Sequence, residues 1–356
     1  MNSNSDSLIF IPDITGFTRF VNETEIKHSQ HIISELLEIL VKSNKLEMKV
    51  SEIEGDAILF YRENHIPDEA AIFEQAKQMF IAFHSHLKEY EARRICRCGA
   101  CTTVNDLSLK FIVHQGEIGF TTVLNRSKPF GAEVVLSHRL LKNQVEAREY
   151  ILFSEKYASR FISEHRETWP ITQGNCEYPQ IGKVNYYYTI ITDLKQEIPA
   201  PQKPVLPPKV NRPLTRKITI NRPVDEVYQL IMNLDVRLLW NKGVEKLEYD
   251  ENRVNRVGTR HTCLFPVGQA EFQTVTNMFE EGTLVYGEEV MGTPFIRQLF
   301  VYYILKPVHD KTDLRVELHL FPKLFIGWIF GAMVKFKFGK QLGIVLHQLK
   351  KISESK

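Results

Sequence analysis

The chain of 356 residues predicts an α+β protein of two domains, and three observations carry that reading. Up to Val113 the hydrophobic periodicity runs strand, helix, strand, strand, helix, strand. Six of the chain's sixteen prolines then fall between Pro199 and Pro213, with lysines between them. Beyond that segment the pattern restarts with a strand, a helix, several strands and one long final helix.

The first strand is the apolar run Leu8, Ile9, Phe10 and Ile11, which ends abruptly in an acid, Asp13. Thr15 and Gly16 break the pattern, and a helix over 23–46 follows, with Ile32, Ile33, Leu36, Leu37, Leu40 and Val41 at three- and four-residue spacing. Residues 48–53 and 57–61 form two strands joined by Glu54, Gly55 and Asp56, a hairpin-sized turn. Pro67 and Asp68 open a second helix, which carries Ile72, Ala76, Phe80, Phe83 and Leu87 on one face. Leu109, Phe111 and Val113 alternate along the next strand. This is the ferredoxin-like βαββαβ order, an antiparallel sheet with the first strand central and beside the last. In that topology the end of the first strand and the turn holding Asp56 approach one corner. Two carboxylates there would make an oxygen-rich site suited to magnesium and to nucleotide phosphates. The alternative is an aspartate capping a turn at each position.

A third helix is expected over 131–141, and strands over 150–153 and 186–191. The proline segment cannot pack regularly and reads as a semi-rigid linker. The domain boundaries are therefore 1–195, a linker at 196–213, and 214–356. In the second domain strands are expected over 216–220, 261–265, 270–278, 283–288, 299–306 and 313–320. A helix opens at Pro223, and a long one runs over 324–353. A curved antiparallel sheet wrapped around such a helix encloses an apolar cavity. Trp240, Phe265, Phe272, Tyr286, Phe300 and Trp328 are its candidate lining, or else plain core.

Composition narrows the function. With 43% hydrophobic and 25% charged residues the chain is globular. A net charge of +2 creates no demand for nucleic acid, and the basic run 335–340 reads as a solvated helix face. The polar start, 1–7, lacks the apolar stretch of a signal peptide. The apolar run 321–334 contains Lys323 and is shorter than the ~20 residues a spanning helix needs. Five cysteines, three of them clustered, do not form a secreted disulfide framework. The expectation is a cytoplasmic protein with no transmembrane segment.

The clustered cysteines, Cys96, Cys98 and Cys101, have a spacing that lets thiolates share one zinc, which takes four ligands. Cys176, His84, His86 or His114 is the candidate fourth. A redox pair, or three reduced cysteines in a loop, are the other readings. His114 itself reads as a core-edge histidine.

Four patches carry a resemblance over residues 7–192. They are Phe10 to Thr18 (FIPDITGFT), Ile53 to Ala57 (IEGDA), Val113 to Gly116 (VHQG) and Phe130 to Arg139 (FGAEVVLSHR). In that order they resemble the catalytic domain of class III adenylate and guanylate cyclases. The resemblance implies that Asp13 and Asp56, with the Ile14 carbonyl, hold Mg or Mn, and that a nucleoside triphosphate is the partner. It implies that Glu52 selects the base, where the family has Lys for adenine and Glu for guanine; an ordinary solvent-facing glutamate is the alternative. Arg139 matches the family's transition-state arginine. The matching asparagine is replaced by Val135, and Lys128 falls at the second base-selecting position, where it suits neither purine. Losing one preorganised donor costs about 2.7–4 kcal/mol, so turnover is expected to be weak or absent. Family sites form between two protomers, which implies a homodimer.

The second half is similar to the helix-grip SRPBCC, or START-like, domains. The carriers are Ile218 to Tyr228 (ITINRPVDEVY), Trp240 to Gly243 (WNKG) and the final helix. This implies a hydrophobic small molecule or lipid as ligand. Together the halves resemble an uncharacterised bacterial two-domain family. Two functions stand: a sensor in which ligand tunes a divergent nucleotide-binding domain, or a non-enzymatic dimerisation scaffold joined to a ligand-binding module.

Overall fold

The computed structural model describes residues 5–160, 169–266, 268–276, 279–292, 296–323 and 326–355, without the side chains of residues 5, 326–335 and 337–338. The chain divides into two compact units, Met1–Glu91 with Cys98–Pro201, and Ala92–Arg97 with Gln202–Lys356.

The first unit contains β1 (Ser5–Thr15), α1 (Phe17–Glu23), α2 (Ile26–Lys42), β2 (Lys49–Glu54), β3 (Ala57–Glu63) and α3 (Glu69–Arg93). These are followed by α4 (Gly99–Thr103), β4 (Ser108–Val123), β5 (Arg126–Phe130), α5 (Ala132–Leu140), β6 (Tyr150–Ser154), α6 (Glu155–Ala158), β7 (Thr172–Tyr178) and β8 (Gly182–Ile190). The sheet order is β2-β3-β1-β4-β6-β8-β7, with β5 on β4. β1 lies between β3 and β4, antiparallel to both, so Phe10 stands opposite Phe60 and Val113.

Both faces of β1 are buried, which explains why its run is continuously apolar rather than alternating. Ile9 and Ile11 join Ala57, Leu59, Ile112 and the α5 residues Val134 and Leu140 in one core cluster. On the other face Phe10 lies 5.5 Å from Phe111. Phe73 of α3 meets Phe153 of β6 edge-on at 5.4 Å.

The helix expected over 23–46 is α2, shortened to Ile26–Lys42, and a separate short helix, α1, precedes it. Glu25 is extended (φ −67°, ψ 125°) and separates α1 from α2. Thr24 Oγ1 donates to the Phe20 carbonyl at 2.6 Å, closing α1. The Glu25 carboxylate accepts from the Gly99 and Ala100 N–H groups at 3.3 and 3.2 Å, a tertiary contact that periodicity does not encode. β4 also runs ten residues past Val113, and β7 lies outside the expected strands.

The second unit holds β9 (Leu214–Ile220), α7 (Val224–Met232), α8 (Arg237–Trp240), β10 (Lys246–Tyr249), β11 (Arg260–Leu264) and β12 (Gln269–Val275). It continues with β13 (Leu284–Met291), β14 (Ile296–Val308), β15 (Lys311–Pro322) and α9 (Ile326–Glu354). Its strands form one antiparallel sheet, β10-β11-β12-β13-β14-β15-β9. α9 buries Val345, Leu346 and Leu349. The strand end expected at Met278 and the helix start at Leu324 lie outside the described residues.

From Gln202 the proline segment belongs to this unit. The Val210 N–H donates to His319 Nδ1 at 3.0 Å, and Lys209 Nζ lies 3.6 Å from the centre of the Phe279 ring. Of the aromatics considered for a cavity wall, Trp240, Phe272, Tyr286 and Phe300 are buried. Trp240 Nε1 donates to the Leu230 carbonyl at 3.1 Å and its ring meets Tyr303 edge-on. Phe265 is half-buried, and the Trp328 side chain is outside those described. Among the described residues no helix is long and apolar enough to cross a membrane.

Candidate functional site

Strand register builds the site. Asp13 pairs with Ala57 on one side and with Lys110 on the other. Asp56 immediately precedes Ala57, and its carbonyl accepts from the Ile14 N–H at 3.0 Å. The two aspartates, 43 positions apart in sequence, therefore meet at one corner of the sheet. Asp13 follows Ile9 and Ile11 on the same pleat face, so its carboxylate emerges where the core cluster ends. It is buried, whereas Asp56 is half-buried.

The carboxylates repel each other. Burial, and then the adjacent Asp13 charge, push the Asp56 carboxyl up to about 6. Lys110 Nζ answers part of this charge, 3.0 Å from Asp13 Oδ2, and also donates to the Leu141 carbonyl at 3.3 Å. Burial is the largest single effect and opposes the lysine's charge, but Asp13, Tyr150 and Asp56 together outweigh it and raise the lysine above its ordinary value. Two carboxylates against one ammonium leave a surplus negative charge among hard oxygen donors, a donor set that suits a divalent cation such as magnesium. Ile14, whose carbonyl is the third candidate donor, is buried.

Gly16 ends β1 and starts α1 with φ +94°, in the left-handed region. A Cβ there would lie 2.9 Å from an Arg148 guanidinium nitrogen and 3.3 Å from the Asp106 carbonyl. Glycine thus lets the chain turn out of the sheet immediately after Asp13 and Ile14. Across the corner, a cavity of about 650 Å³ is lined by Phe17, Ile33, Leu37, Val41, Ile53 and Gly55. Most of its exposed wall is apolar, with Ser29, Gln30, Ser34, Glu38 and Lys42 as its polar members.

Glu52, on β2, is half-buried and accepts from Lys128 Nζ of β5 at 3.1 Å. His138 of α5 lies between Glu52 (3.7 Å) and Glu54 (3.9 Å). The two positions matched to base selection are thereby brought together. The sequence did not indicate that each already has the other as partner. Arg139 and Val135 are exposed, four residues apart on α5. Among the described residues no hydrogen bond or ion pair joins Arg139 to Asp13 or Asp56.

His114 is fully buried within β4. Its Nδ1 lies 2.7 Å from Ser154 Oγ and its Nε2 2.7 Å from Glu133 Oε2. Lys156 adds a contact to Glu133 Oε1 at 2.9 Å. The hydrogen bond from His114, more than any opposing effect of burial, brings the Glu133 carboxyl down to about 2. Gly116 makes room, since a Cβ there would fall 2.6 Å from Glu133 Cγ and Cδ.

The three clustered cysteines converge, but not on any of the four candidates for a fourth ligand. Cys176 is on β7, its sulfur 4.0 Å from the Tyr186 hydroxyl. His84 lies 3.4 Å from Glu149, His86 lies 3.0 Å from Glu35, and His114 is held as above. Each is engaged elsewhere in the first unit's core. The residue that joins Cys96, Cys98 and Cys101 is His28, on the first turn of α2, and the four ligand atoms all lie within 4.8 Å of one another. Separated from Cys98 by 70 positions, His28 falls in no motif, and the sequence holds no signal for it.

Residues 33–150 match a family described as a protein of unknown function, DUF2652. An uncharacterised protein of Mycobacterium tuberculosis is 27% identical over 157 residues, covering 44% of this chain and 72% of that protein. Among solved structures the chain is similar to the guanylate cyclase domain of a rhodopsin–guanylyl cyclase from Catenaria anguillulae in complex with GTP. The identity is 19%, over 52% of this chain and 96% of that one, with a TM-score of 0.39. The adenylyl cyclase CyaB from P. aeruginosa is 18% identical over 53% of this chain and 95% of its own, with a TM-score of 0.35. A Thalictrum norcoclaurine synthase is 12% identical over 42% of this chain and 98% of its own, with a TM-score of 0.33. At these identities and TM-scores no residue role transfers from them.

Proposed function

We propose that the first unit binds a nucleoside triphosphate through Mg or Mn held by Asp13, Asp56 and the Ile14 carbonyl. The observation that carries this is the convergence of two carboxylates at one sheet corner, with Asp56 pushed up to about 6 by burial and by Asp13. An arrangement that holds like charges together at a cost to folding is typical of sites built for a cation. When bound, the metal supplies charge neutralisation for phosphates and polarises an attacking hydroxyl. Glu52 presents a carboxylate that accepts from a guanine edge once Lys128 releases it. Arg139, exposed on α5, offers its guanidinium to a triphosphate bound across a homodimer. Val135 has no donor to contribute beside it, so cyclisation is weak or absent. The second unit, an antiparallel sheet with a long terminal helix, is proposed to bind a hydrophobic small molecule or lipid and to tune the first.

One observation favours the non-enzymatic alternative. Lys110 already pairs with Asp13, so part of the charge that would recruit a metal is answered within the chain. In that reading the first unit is a dimerisation scaffold, and ligand binding by the second is the whole function.

Incubating the full chain with ATP, GTP, CTP and UTP, each with magnesium or manganese, and resolving the products by chromatography tests the proposal. Saturable, metal-dependent retention of a nucleotide, with at most a trace of cyclic product, is expected. Absence of metal-dependent binding for all four nucleotides overturns it in favour of the scaffold.

A further inference from the structure

From the convergence of Cys96, Cys98 and Cys101 on His28 we infer that the protein carries a structural zinc ion in a Cys3His site, separate from the aspartate corner. The sulfurs and His28 Nδ1 lie within 4.8 Å of one another. Cys98 Sγ is 3.1 Å and Cys101 Sγ 3.6 Å from that nitrogen. In a tetrahedral zinc site with Zn–S of about 2.3 Å and Zn–N of about 2.0 Å, neighbouring sulfur and nitrogen ligands stand about 3.5 Å apart. The two sulfur–nitrogen separations bracket that value, and the remaining separations, all within 4.8 Å, need only a small inward shift to share one centre.

The surroundings fit a closed structural site. Cys96, Cys98 and Cys101 are buried and His28 is half-buried, and none of the five cysteines is in a disulfide. Tyr90 of α3, itself buried, places its hydroxyl 3.1 Å from Cys101 Sγ, where it donates to a thiolate. Glu25 fixes the two halves of the site against each other. Its backbone precedes α2, which presents His28 on its first turn, while its carboxylate holds the Gly99 and Ala100 N–H groups of the cysteine loop. Arg94 donates to the Cys96 carbonyl at 3.2 Å, restraining the other end of the loop. The three thiols are buried beside the imidazole. As thiolates they bind zinc with the release of three protons. The ligands are soft sulfur and nitrogen, which select zinc over the magnesium or manganese expected at the oxygen donors of Asp13 and Asp56.

The test uses the full chain, produced in zinc-supplemented medium and purified under reducing conditions without chelator. Elemental analysis is expected to give about one zinc per chain. Thiol titration is expected to show three of the five cysteines protected until the metal is removed. Cobalt added to the stripped protein should give the intense visible bands of a tetrahedral site together with thiolate-to-cobalt charge transfer. This readout needs no variant and so does not depend on a mutant folding. Cys263→Ser should keep the metal, Cys98→Ser and His28→Ala should lose it, and Tyr90→Phe should weaken it about 10- to 100-fold. Substoichiometric zinc with unprotected thiols, a Cys98–Cys101 disulfide in the purified protein, or a cobalt spectrum of an octahedral oxygen site would each overturn the inference.

Discussion

Each unit contains carboxylates brought close to a cation, and the two settings treat that charge in opposite ways. In the second unit Arg237 and Glu288 form an ion pair that is almost wholly buried. Tyr286 donates to the free Glu288 oxygen at 2.7 Å, and Asn255 links the network to Thr274 and to the Met232 carbonyl. For Glu288 burial works against ionisation, but the Arg237 charge, with the hydrogen bonds from Arg237 and Tyr286, leads the effects that hold the carboxyl below its ordinary value. His261, stacked on Phe272, is pushed by burial down to about 4 and so stays neutral. One cation meets one anion there. At the Asp13–Asp56 corner two carboxylates face a single lysine, and one carboxyl is raised instead of lowered. The lesson is one of charge balance: the buried pair is matched one to one, although among the described residues Arg237 Nε and both His261 ring nitrogens lack hydrogen-bond partners, whereas the undercompensated corner has chemistry left to do.

The comparison breaks most sharply at the buried pair. Arg237→Met alone strands a buried carboxylate and should cost about 3–5 kcal/mol in denaturant unfolding of the full chain. Arg237→Met combined with Glu288→Leu should recover most of that loss, because the pair serves structure alone. If the single and double variants are equally unstable, the network has another role.

At the open corner the sign reverses. The folded state holds the Asp56 proton more tightly than the unfolded chain does. That contribution to stability is therefore present below the ordinary carboxylate range and is lost as pH rises through about 6. Asp56→Asn removes the repulsion and should stabilise the metal-free protein at pH 7–8 by about 1 kcal/mol, after allowance for solvent screening of a half-buried group. Thermal melts over pH 4–8 check this; a destabilised variant would show that Asp56 is only a turn cap.

His114 and Glu133 offer an intermediate case. With Glu133 brought down to about 2, its stabilisation is present above the ordinary carboxylate pKa and is lost as pH falls towards 2. Glu133→Gln should lower stability at neutral pH by roughly 0.5–1.5 kcal/mol and flatten the acid limb of the melting curve. The smallest effect is expected at the surface pair, where Lys128→Ala should change stability by less than about 1 kcal/mol. The same variant should alter the preference between guanine and adenine nucleotides, since it frees Glu52.

The order of the first four strands was legible from their spacing and apolar runs, and that order alone brings Asp13 and Asp56 near one another; β5 and β7 and the pairing of β6 and β8 were not. What the chain did not disclose are partners set by tertiary register. Lys110 faces Asp13 because β1 and β4 pair with Asp13 opposite Lys110, a register that no local pattern specifies. His28 reaches the cysteines because Glu25, just ahead of α2, ties the start of that helix to the Gly99 and Ala100 N–H groups, a contact that no local pattern specifies. Glu52 and Lys128 were legible singly, as matches to a family pattern, but not as each other's partner. In the second unit the aromatic residues were visible, yet their burial as core around Tyr303 and the Arg237–Glu288 pair depends on packing that composition does not reveal.

The central claim is that the aspartate corner holds a divalent metal together with a nucleotide. Manganese binding followed by electron paramagnetic resonance, with and without GTP, tests it most directly in the wild-type chain and in Asp13→Asn and Asp56→Asn. The account predicts a saturable manganese site in the wild type that tightens when nucleotide is present, and its loss in both variants while their melting curves remain cooperative. Equal manganese binding in all three proteins, or none in the wild type at saturating nucleotide, would contradict it.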